Sequence, residues 1–546
     1  MALELDLRAV SGERTRRYVG DGSWTDETLG TILGAGLVEG RDLTLAIHSE
    51  VRPWRGTFAD GYDLACRVAG GLRAIGVQPG DPVAFQLPNW VEAAGTFWAI
   101  ALLGAVPVPI VHFYGPKEVA FILEQSQAQV LVTADQFGHQ DFLANLEGFR
   151  SRLDALREVF VVGERVPAGT RPFAQLAGAD PIDGPVATDP SAPALIAYTS
   201  GTTADPKGVV HSHRTIGFEI KQLGAIQSMR GLPALVGAPV GHGIGMLAAL
   251  LIPVWRRDQI QLIDVWDPAR VLATMLEEGI TSGNGATYFL ISLLDHPDFT
   301  DAHRRLMPFI GLGGSAVPAS VGERCAAIGI STVRSFGSTE HPSITGMRHD
   351  APQDKRLHTD GKALPGVELQ LRADDGRRID VGVPGEIWSK GPDCFVGYTD
   401  TALTAAAFDA DGWFATGDIG VLDADGYLCI VDRKKDIIIR GGENISALEV
   451  EEQLLRMPGM AEAAVVAAPD ARLGEHAAAF VRMQPGLAAP SLEVTRQHLE
   501  AAGLARQKWP EEVRPVEEFP RTASGKIQKF VLRERRRNQD QDSAPR

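Results

Sequence analysis

A repeating order of helix, turn and strand runs through residues 58–132 and limits the folds that this chain can adopt. Its parts are an apolar-periodic segment to Ile75, the turn and strand VQPGDPVAFQL, a helix from Trp90 to Leu103 and the strand AVPVPIV. Strands that alternate with amphipathic helices build parallel sheets whose faces are covered by the helices. The pattern therefore predicts an α/β fold.

The pattern changes between Val367 and Val431. Short alternating segments (VELQLR, GEIWSK, GYLCIV) are separated by DDG and DADG, which are typical of hairpin turns. The two DADG sites lack the other ligands of a calcium-binding loop, so we interpret them as turns. This region is predicted to be a small β subdomain within a large N-terminal domain of layered α/β subdomains.

A second α/β pattern begins after Asp436. A helix over residues 447–456, the strand-like runs AAVVAA and AAAFVRM, and a helix over 492–502 predict a compact C-terminal unit. We place the boundary between the N-terminal domain, residues 1–434, and a small, mobile C-terminal domain, residues 435–546.

Composition excludes several classes of partner. The 546 residues carry a net charge of −16, whereas nucleic acids and anionic membranes require a basic surface. The uncharged run from Ala93 to Val111 contains Gly104, Pro107 and Pro109, so it predicts a buried helix, turn and strand rather than a membrane span. Four scattered cysteines and an N-terminus without an apolar h-region lead us to expect a cytoplasmic protein.

The stretch YTSGTTADPKGVVHSH, from Tyr198 to His213, follows the apolar strand ALIAY. Backbone N–H groups and hydroxyls of such a loop can bind phosphate oxygens, and Lys207 adds a positive charge. The Walker A order is absent, because proline precedes Lys207 and Gly-Lys-Ser/Thr does not occur. Taken alone, the stretch fits a phosphate-binding loop and a polar surface loop equally well.

Five further motifs follow it: GLGGSAVP (311–318), RSFGSTEH (334–341), GWFATGD (412–418), VDRKKDIIIRGGENISALEVEE (431–452) and FPRTASGKIQK (519–529). Together with TSGTTADPKG they resemble, in order, the motifs of the adenylate-forming superfamily, which includes acyl-CoA synthetases, adenylation domains and beetle luciferases. The resemblance covers nearly the whole chain. It implies an enzyme that joins a carboxylate to AMP from ATP.

The resemblance also implies roles for individual residues. Lys526, Glu340 and Lys207 would be catalytic: Lys526 would bridge the substrate carboxylate and the α-phosphate, Glu340 would bind Mg²⁺, and Lys207 would contact the phosphates. Phe336 would stack on adenine, and Asp418 would accept from the ribose hydroxyls. The full set implied for ATP and AMP is Thr199, Ser200, Gly201, Thr202, Thr203, Gly313, Gly314, Ser315, Phe336, Gly337, Ser338, Thr339, Asp418 and Arg433.

The same resemblance implies an acyl pocket formed by His242, Gly285, Gly311 and His341, with Lys435 as the hinge between domains and Gly441 and Gly442 in the CoA tunnel. For His242 a buried, satisfied histidine is the alternative. His211 and His213 match the start of a helix in the family, so we assign them no metal. The pocket segments combine small residues with Tyr288, Phe289 and Phe336, which suits a compact ring or a medium chain.

This chain departs from the family pattern at Ala204, where the last loop glycine is expected. Its ISALEVEE segment looks like the branch of cyclohexanecarboxylate and medium-chain acyl-CoA ligases. We therefore predict an acid:CoA ligase for a medium-chain or cyclic carboxylic acid, with ATP, Mg²⁺ and CoA. Two alternatives stay open: an acyl-AMP ligase that loads a carrier protein, and a nucleotide-binding protein without turnover. A homodimer is also left open.

Overall fold

The computed structural model describes residues 5, 7–199, 206–226, 232–315, 317–440, 443–470, 472–522 and 525–543, without the side chains of 537–543. The predicted α/β repeat forms a five-stranded parallel sheet. Its strands, in spatial order, are Val106–Ile110, Pro82–Gln86, Val130–Ala134, Glu158–Val162 and Arg171–Pro172.

The prolines of the strand Val106–Ile110 are compatible with the sheet because this strand lies at its edge. The helix Val91–Leu102 before it is buried along its whole length. The uncharged run from Ala93 to Val111 is therefore core helix, turn and strand, as predicted. In the described part of the chain, no helix has the length and apolar character that crossing a membrane requires.

Two other sheets surround the region where the predicted motifs meet. A four-stranded sheet has the order Leu235–Val236, Ile260–Ile263, Thr44–His48 and Trp54–Thr57, and a three-stranded antiparallel sheet has the order Pro193–Thr199, Lys207–Ser212 and Gly397–Tyr398. A separate parallel pair is formed by Phe309–Leu312 and Ser331–Arg334. Two short antiparallel pairs are Gln136–Phe137 with Gln140–Asp141 and Thr345–Gly346 with Lys362–Ala363.

The helices of the larger, N-terminal part cover these sheets. They are Gly12–Gly20, Leu29–Glu39, Phe58–Ala74, Val91–Leu102, Pro116–Ser126, Phe142–Glu147, Ala174–Ala177, His213–Ile226, Gly243–Gly245, Ile252–Arg256, Pro268–Glu278, Thr287–Leu294, Asp301–Leu306, Ala319–Ala327, Gln353–His358 and Thr401–Ala407. A 3₁₀ turn covers Arg150–Arg152, and a π-helix covers Met246–Leu251.

The predicted β subdomain is a four-stranded antiparallel sheet. Its strands are Glu368–Arg372, Gly385–Lys390, Phe414–Leu422 and Leu428–Arg433, in that order. The DADG sequence at 423–426 is the turn of the last hairpin, where the Asp423 carboxylate accepts from the backbone N–H groups of Asp425 and Tyr427 at 2.9 and 2.8 Å. The interpretation of this site as a hairpin turn is confirmed.

The C-terminal residues form a second sheet with cores of their own. Its strands are Glu443–Ile445, Ile438–Arg440, Gly474–Met483 and Met460–Asp470, and Glu512–Pro515 pairs with Gly474–Met483. Helices Ala447–Leu455, Leu492–Ala501 and Lys529–Ser543 and the 3₁₀ turn Arg506–Lys508 complete this part. The fold class is therefore α/β with a large N-terminal and a small C-terminal part, as predicted. The boundary at 434/435 stays a prediction.

Candidate active site

A cavity of about 2120 Å³ lies between the N-terminal and C-terminal parts. It opens where the parallel strands Phe309–Leu312 and Ser331–Arg334 end, which is the edge at which α/β sheets bind ligands. Every predicted site residue that the structure describes lines this cavity, except His341. Ser200, Gly201, Thr202, Thr203 and the departure at Ala204 lie outside the described residues, as do Gly441 and Gly442.

The segments after the two parallel strands form one wall. Gly311 accepts from the backbone N–H of Gly285, and Gly285 accepts from that of Gly313, at 2.9 and 3.0 Å. Gly285 has φ +101°, a backbone conformation that favours glycine. Gly314 and Ser315 continue this wall. Ile244 packs on this wall, since a Cβ atom at Gly285 or Gly314 would lie 3.4 or 2.6 Å from its side chain.

The loop after Arg334 forms the adjacent wall. Phe336 lines the cavity, and it also packs in the core with Ile344 and Leu371, so the core role is present and the predicted stacking role stays a prediction. A Cβ atom at Gly337 would lie 1.8 Å from the Pro342 carbonyl oxygen, so only glycine fits there. Ser338 and Thr339 follow on the cavity wall.

Glu340 is oriented by a residue that the sequence interpretation missed. The Tyr398 hydroxyl donates to Glu340 Oε1 at 2.8 Å, and Lys207 Nζ lies 5.3 Å from the centroid of the Tyr398 ring. Tyr398 reaches this position because Gly397–Tyr398 pairs with the strand that begins at Lys207. Tyr398 therefore contacts both the Lys207 cation and the Glu340 carboxylate at the cavity wall. No spacing in the sequence connects Tyr398 to Glu340, so only the strand pairing could reveal it.

Asp418 is buried on the strand Phe414–Leu422, opposite Arg433. Arg433 Nε donates to Asp418 Oδ1 at 2.8 Å. Asp418 Oδ2 is buried and has no hydrogen-bond partner among the residues that the structure describes. Burial raises the pKa of Asp418, against the opposing effect of Arg433, Lys526 and Lys435. A buried acceptor without a partner at a cavity wall fits hydroxyl donors of a ligand, as the ribose of ATP would supply.

Lys526 enters the cavity from the C-terminal part. Burial, together with the cations of Arg433 and Lys435, lowers the pKa of Lys526 to about 8, although Asp418 and Glu340 act in the opposite direction. The pKa of Lys435 is also lowered to about 8, first by burial and then by Arg433. The cavity thus holds several cations close together, an arrangement that an anionic ligand would stabilise.

The apolar end of the cavity lies beside His242. The His242 ring accepts from the backbone N–H of Ile244 at 3.3 Å and so caps the following helix. Burial and Lys526 lower the pKa of His242 to about 4, so the ring is neutral at pH 7. Trp266 and Phe289 line the same end, with ring centroids 4.5 Å apart. The π-helix Met246–Leu251 follows His242, and such irregular turns are frequent at functional sites.

The prediction that His341 lines the acyl pocket is wrong. Its side chain is fully buried, with Nδ1 hydrogen-bonded to Ser389 at 2.8 Å and Nε2 to Asp393 at 3.2 Å. The backbone N–H of Ser338 donates to the His341 carbonyl oxygen at 2.9 Å and closes a tight turn, and the His341 side chain lies outside the cavity lining. His211 and His213 have structural partners: the His211 ring donates to the Thr339 carbonyl oxygen at 2.8 Å, and His213 Nδ1 accepts from the Leu29 N–H at 3.1 Å.

Comparison with protein families agrees with this geometry. Residues 45–399 match the AMP-binding enzyme family, and residues 449–526 match the AMP-binding enzyme C-terminal domain. The chain belongs to the AMP-binding enzyme family. Its relatives place it on the acyl-CoA synthetase branch of that family.

Three relatives illustrate the similarity to acyl-CoA synthetases. The medium-chain fatty-acid–CoA ligase of Escherichia coli (strain K12) is 34% identical over 87% of this chain and 85% of its own length. The 3-[(3aS,4S,7aS)-7a-methyl-1,5-dioxo-octahydro-1H-inden-4-yl]propanoyl:CoA ligase of Rhodococcus jostii (strain RHA1) is 34% identical over 91% of this chain and 96% of its own length. A feruloyl-CoA synthase from Amycolatopsis is 32% identical over 88% and 94%.

Solved structures of AMP-binding enzymes have the same fold. The anthranilate CoA ligase AuaEII in complex with anthranoyl-AMP superposes with a TM-score of 0.84, with 26% identity over 94% of this chain and 98% of that one. ATP-bound MatB from Rhodopseudomonas palustris superposes with a TM-score of 0.81, with 28% identity over 93% and 99%.

Proposed function

We propose that this AMP-binding enzyme is an ATP-dependent acid:CoA ligase that acts through an acyl-AMP intermediate on a medium-chain or cyclic carboxylic acid. The observation that supports it most is the meeting of Lys526 from the C-terminal part with Asp418, Arg433 and Glu340 in one cavity. Acyl adenylation requires protein groups that bind the ribose hydroxyls, the phosphates and the substrate carboxylate, and this cavity offers a group for each.

In the first half-reaction a carboxylate oxygen of the acid would attack the α-phosphorus of ATP. The bond from that phosphorus to the oxygen bridging to the β-phosphate breaks, and pyrophosphate leaves with the electron pair. Two anions must approach each other, so positioning and charge stabilisation do most of the work. Lys526 and Arg433 supply positive charge next to the α-phosphate, and Lys207 supplies it next to the leaving group.

Mg²⁺ fits this site because the Glu340 carboxylate lines the cavity and is oriented by Tyr398. Held by Glu340, the ion would neutralise charge on the ATP phosphates. Asp418 would hold the ribose through Oδ2, which has no hydrogen-bond partner among the described residues, and Arg433 keeps that carboxylate in place.

In the second half-reaction the CoA thiol, having lost its proton to water, would attack the acyl carbonyl carbon. The bond from that carbon to the AMP oxygen breaks, and AMP leaves. Lys435 lies in the turn that joins the strands Leu428–Arg433 and Ile438–Arg440, which is where a rotation of the C-terminal part would be absorbed. The hinge role and the mobility of that part remain predictions.

A compact acid suits the apolar end of the cavity. Trp266 and Phe289 close it with aromatic rings, whereas Gly285 and Gly311 leave volume. Each buried methylene contributes about 0.8 kcal/mol until the pocket is full, after which further carbons clash or remain in water. The relatives named for medium-chain and ring-containing acids support the same assignment.

Pyrophosphate release across a panel of acids, measured with and without CoA, tests the proposal. We expect the highest kcat/KM for a medium-chain or cyclic acid, with acetate and palmitate lower, and with acyl-CoA and AMP as products. Acyl-AMP that accumulates beside CoA would instead favour a carrier-protein ligase. An absence of pyrophosphate with every acid would favour a nucleotide-binding protein. The cytoplasmic location and a homodimer stay predictions.

A further inference from the structure

The loop that carries Lys526 is closed by an arginine. The backbone N–H of Thr522 donates to the Lys526 carbonyl oxygen at 2.8 Å, and that of Gly525 donates to the Thr522 carbonyl oxygen at 2.9 Å. Arg521 Nη1 donates to the Gly525 carbonyl oxygen, also at 2.8 Å. The guanidinium group therefore bonds to the residue directly before the lysine, and it limits where the lysine can lie.

The same arginine touches the N-terminal part. Its guanidinium carbon lies 5.1 Å from the centroid of the Tyr288 ring, within the range of a cation–π contact. Gly525 rests on the same residue, since a Cβ atom there would lie 3.4 Å from Tyr288 Cβ. Tyr288 is 40% exposed, so its ring is a surface on which the loop docks rather than a core residue.

Tyr288 belongs to the helix that forms the apolar end of the cavity, Thr287–Leu294. Its neighbour Phe289 packs edge-on against Trp266 at the acyl end. The helix therefore presents Phe289 to the substrate and Tyr288 to the catalytic loop. A shift of this helix on acid binding would move the docking surface of Lys526.

The Glu462 carboxylate, in the C-terminal sheet, holds Arg521 in place. Glu462 Oε1 accepts from Arg521, while its other carboxylate oxygen accepts from Arg482 on the strand Gly474–Met483. Arg482 and Arg521 thus share the Glu462 carboxylate. A substitution of Arg482 therefore controls for the loss of an ion pair with Glu462 when Arg521 is substituted.

We infer that Arg521 is a positioning residue for Lys526, which it holds in place for adenylation by docking on Tyr288. This inference rests on the proposed acid:CoA ligase activity. It assigns Arg521 to the first half-reaction alone, because the contact with Tyr288 belongs to the arrangement in which Lys526 faces the cavity.

Three variants test it: Arg521→Lys, which keeps the charge but loses the planar fork, Tyr288→Leu, which removes the ring, and Tyr288→Phe, which keeps it. Adenylation is measured as ATP–pyrophosphate exchange, and thioester formation is measured from supplied acyl-AMP and CoA. We expect Arg521→Lys and Tyr288→Leu to lower kcat for adenylation roughly tenfold, with KM for ATP unchanged. Thioester formation should stay within about twofold, and Tyr288→Phe, which keeps the ring, should lower adenylation less than Tyr288→Leu.

Arg482→Lys is the control, with thermal unfolding measured for every variant. If Arg521→Lys affects adenylation no more than Arg482→Lys, or lowers both half-reactions equally, the inference is overturned. Tyr288 is half-exposed, so Tyr288→Leu keeps the test decisive if the arginine variant fails to fold. An unsubstituted enzyme that releases no pyrophosphate with any acid would overturn the proposed function, and this inference with it.

Discussion

Lys526 and Lys529 lie three positions apart in one motif but in opposite electrostatic surroundings. Lys526 faces the cavity, and burial and neighbouring cations lower its pKa to about 8. Lys529 Nζ lies 2.7 Å from Glu451 Oε1. Burial lowers the pKa of Lys529, but the carboxylates of Glu451 and Asp436 outweigh it and hold the pKa above its ordinary value.

The contrast separates a lysine whose charge is neutralised within the fold from the lysine that we propose as catalytic. Lys529 has its counter-charge within the fold, and Glu451 also accepts from the backbone N–H of Val465 at 2.6 Å. Lys526 forms no ion pair with a carboxylate of the described residues, so its charge stays available for anions that arrive with the substrates. A buried cation without a fixed partner is costly to the fold and is typical of functional sites.

The largest effect is expected for Lys526→Ala. Removing a preorganised charge next to a developing anion should slow adenylation by roughly two to three orders of magnitude. Pyrophosphate release from ATP and the preferred acid measures this. Thioester formation from supplied acyl-AMP should survive, and an equal loss in both half-reactions would contradict the role assigned to Lys526.

Lys529→Ala should act on stability instead. It leaves Glu451 buried without its counter-charge, which costs about 3 kcal/mol in the free energy of unfolding. Denaturant unfolding measures this change, while adenylation per folded molecule should stay close to that of the unsubstituted enzyme. Lys529→Arg keeps the charge and serves as the control. If Lys529→Ala slowed adenylation as strongly as Lys526→Ala, the two lysines would not differ in role.

A pH titration should distinguish the two lysines. Adenylation should fall about tenfold per pH unit above 8 as Lys526 loses its proton, whereas the ion pair of Lys529 should persist over the same range. Adenylation needs cationic Lys526, so its kcat/KM, which reports the enzyme before ATP binds, should fall as pH rises through about 8. Lys529 has a raised pKa, so its stabilising contribution is complete below the unfolded value of 10.5 and is lost only as pH rises through the folded value.

Lys526 and Lys435 have folded-state pKa values of about 8, below the unfolded value of 10.5, so their deprotonation adds stability as pH rises above 8. We therefore expect the unfolding midpoint to rise rather than fall between pH 7 and 9 while adenylation declines. Because Lys435 also has a pKa of about 8, the profile should be repeated in Lys435→Gln. A decline that disappears in that variant would assign the titration to Lys435 rather than to Lys526.

The smallest effect is expected for the double variant Lys529→Gln with Glu451→Gln. Both charges are removed together, and the amide can still accept from the Val465 N–H. Replacing a whole buried ion pair by neutral groups is often close to neutral, so the loss of stability should be about 1 kcal/mol, well below that of Lys529→Ala. If the double variant were less stable than Lys529→Ala, the Lys529–Glu451 ion pair would contribute more to the free energy of unfolding than its desolvation costs.

Much of the fold was predictable because its signals are local. Alternation of strands and helices in residues 58–132 follows from the periodicity of apolar residues, and the DADG turn at 423–426 follows from an aspartate that accepts from backbone two and four residues later. The candidate site was predictable only through ordered motifs. Taken singly, Glu340 and Lys526 are residues of a type that is usually exposed.

The two histidines predicted for the acyl pocket show where local signals end. His242 caps a helix and lines the cavity, whereas His341 is buried on Ser389 and Asp393, which follow it by 48 and 52 residues. Tyr398 likewise reaches Glu340 across 58 residues. Nothing in the neighbouring sequence distinguishes these cases, because the partner that decides each one comes from another element.

The sequence by itself determined the element types and, through the ordered motifs, the kinds of charge brought to the site. Backbone preferences and apolar periodicity act over a few residues, so they can be deduced from the order of residues. The tertiary structure alone decided that Lys529 is neutralised by Glu451, that Lys526 has no ion pair with a carboxylate of the described residues, and that Arg521 lies on Tyr288. Burial and charge pairing depend on groups distant in the chain, and these meet only when the sheets and helices pack.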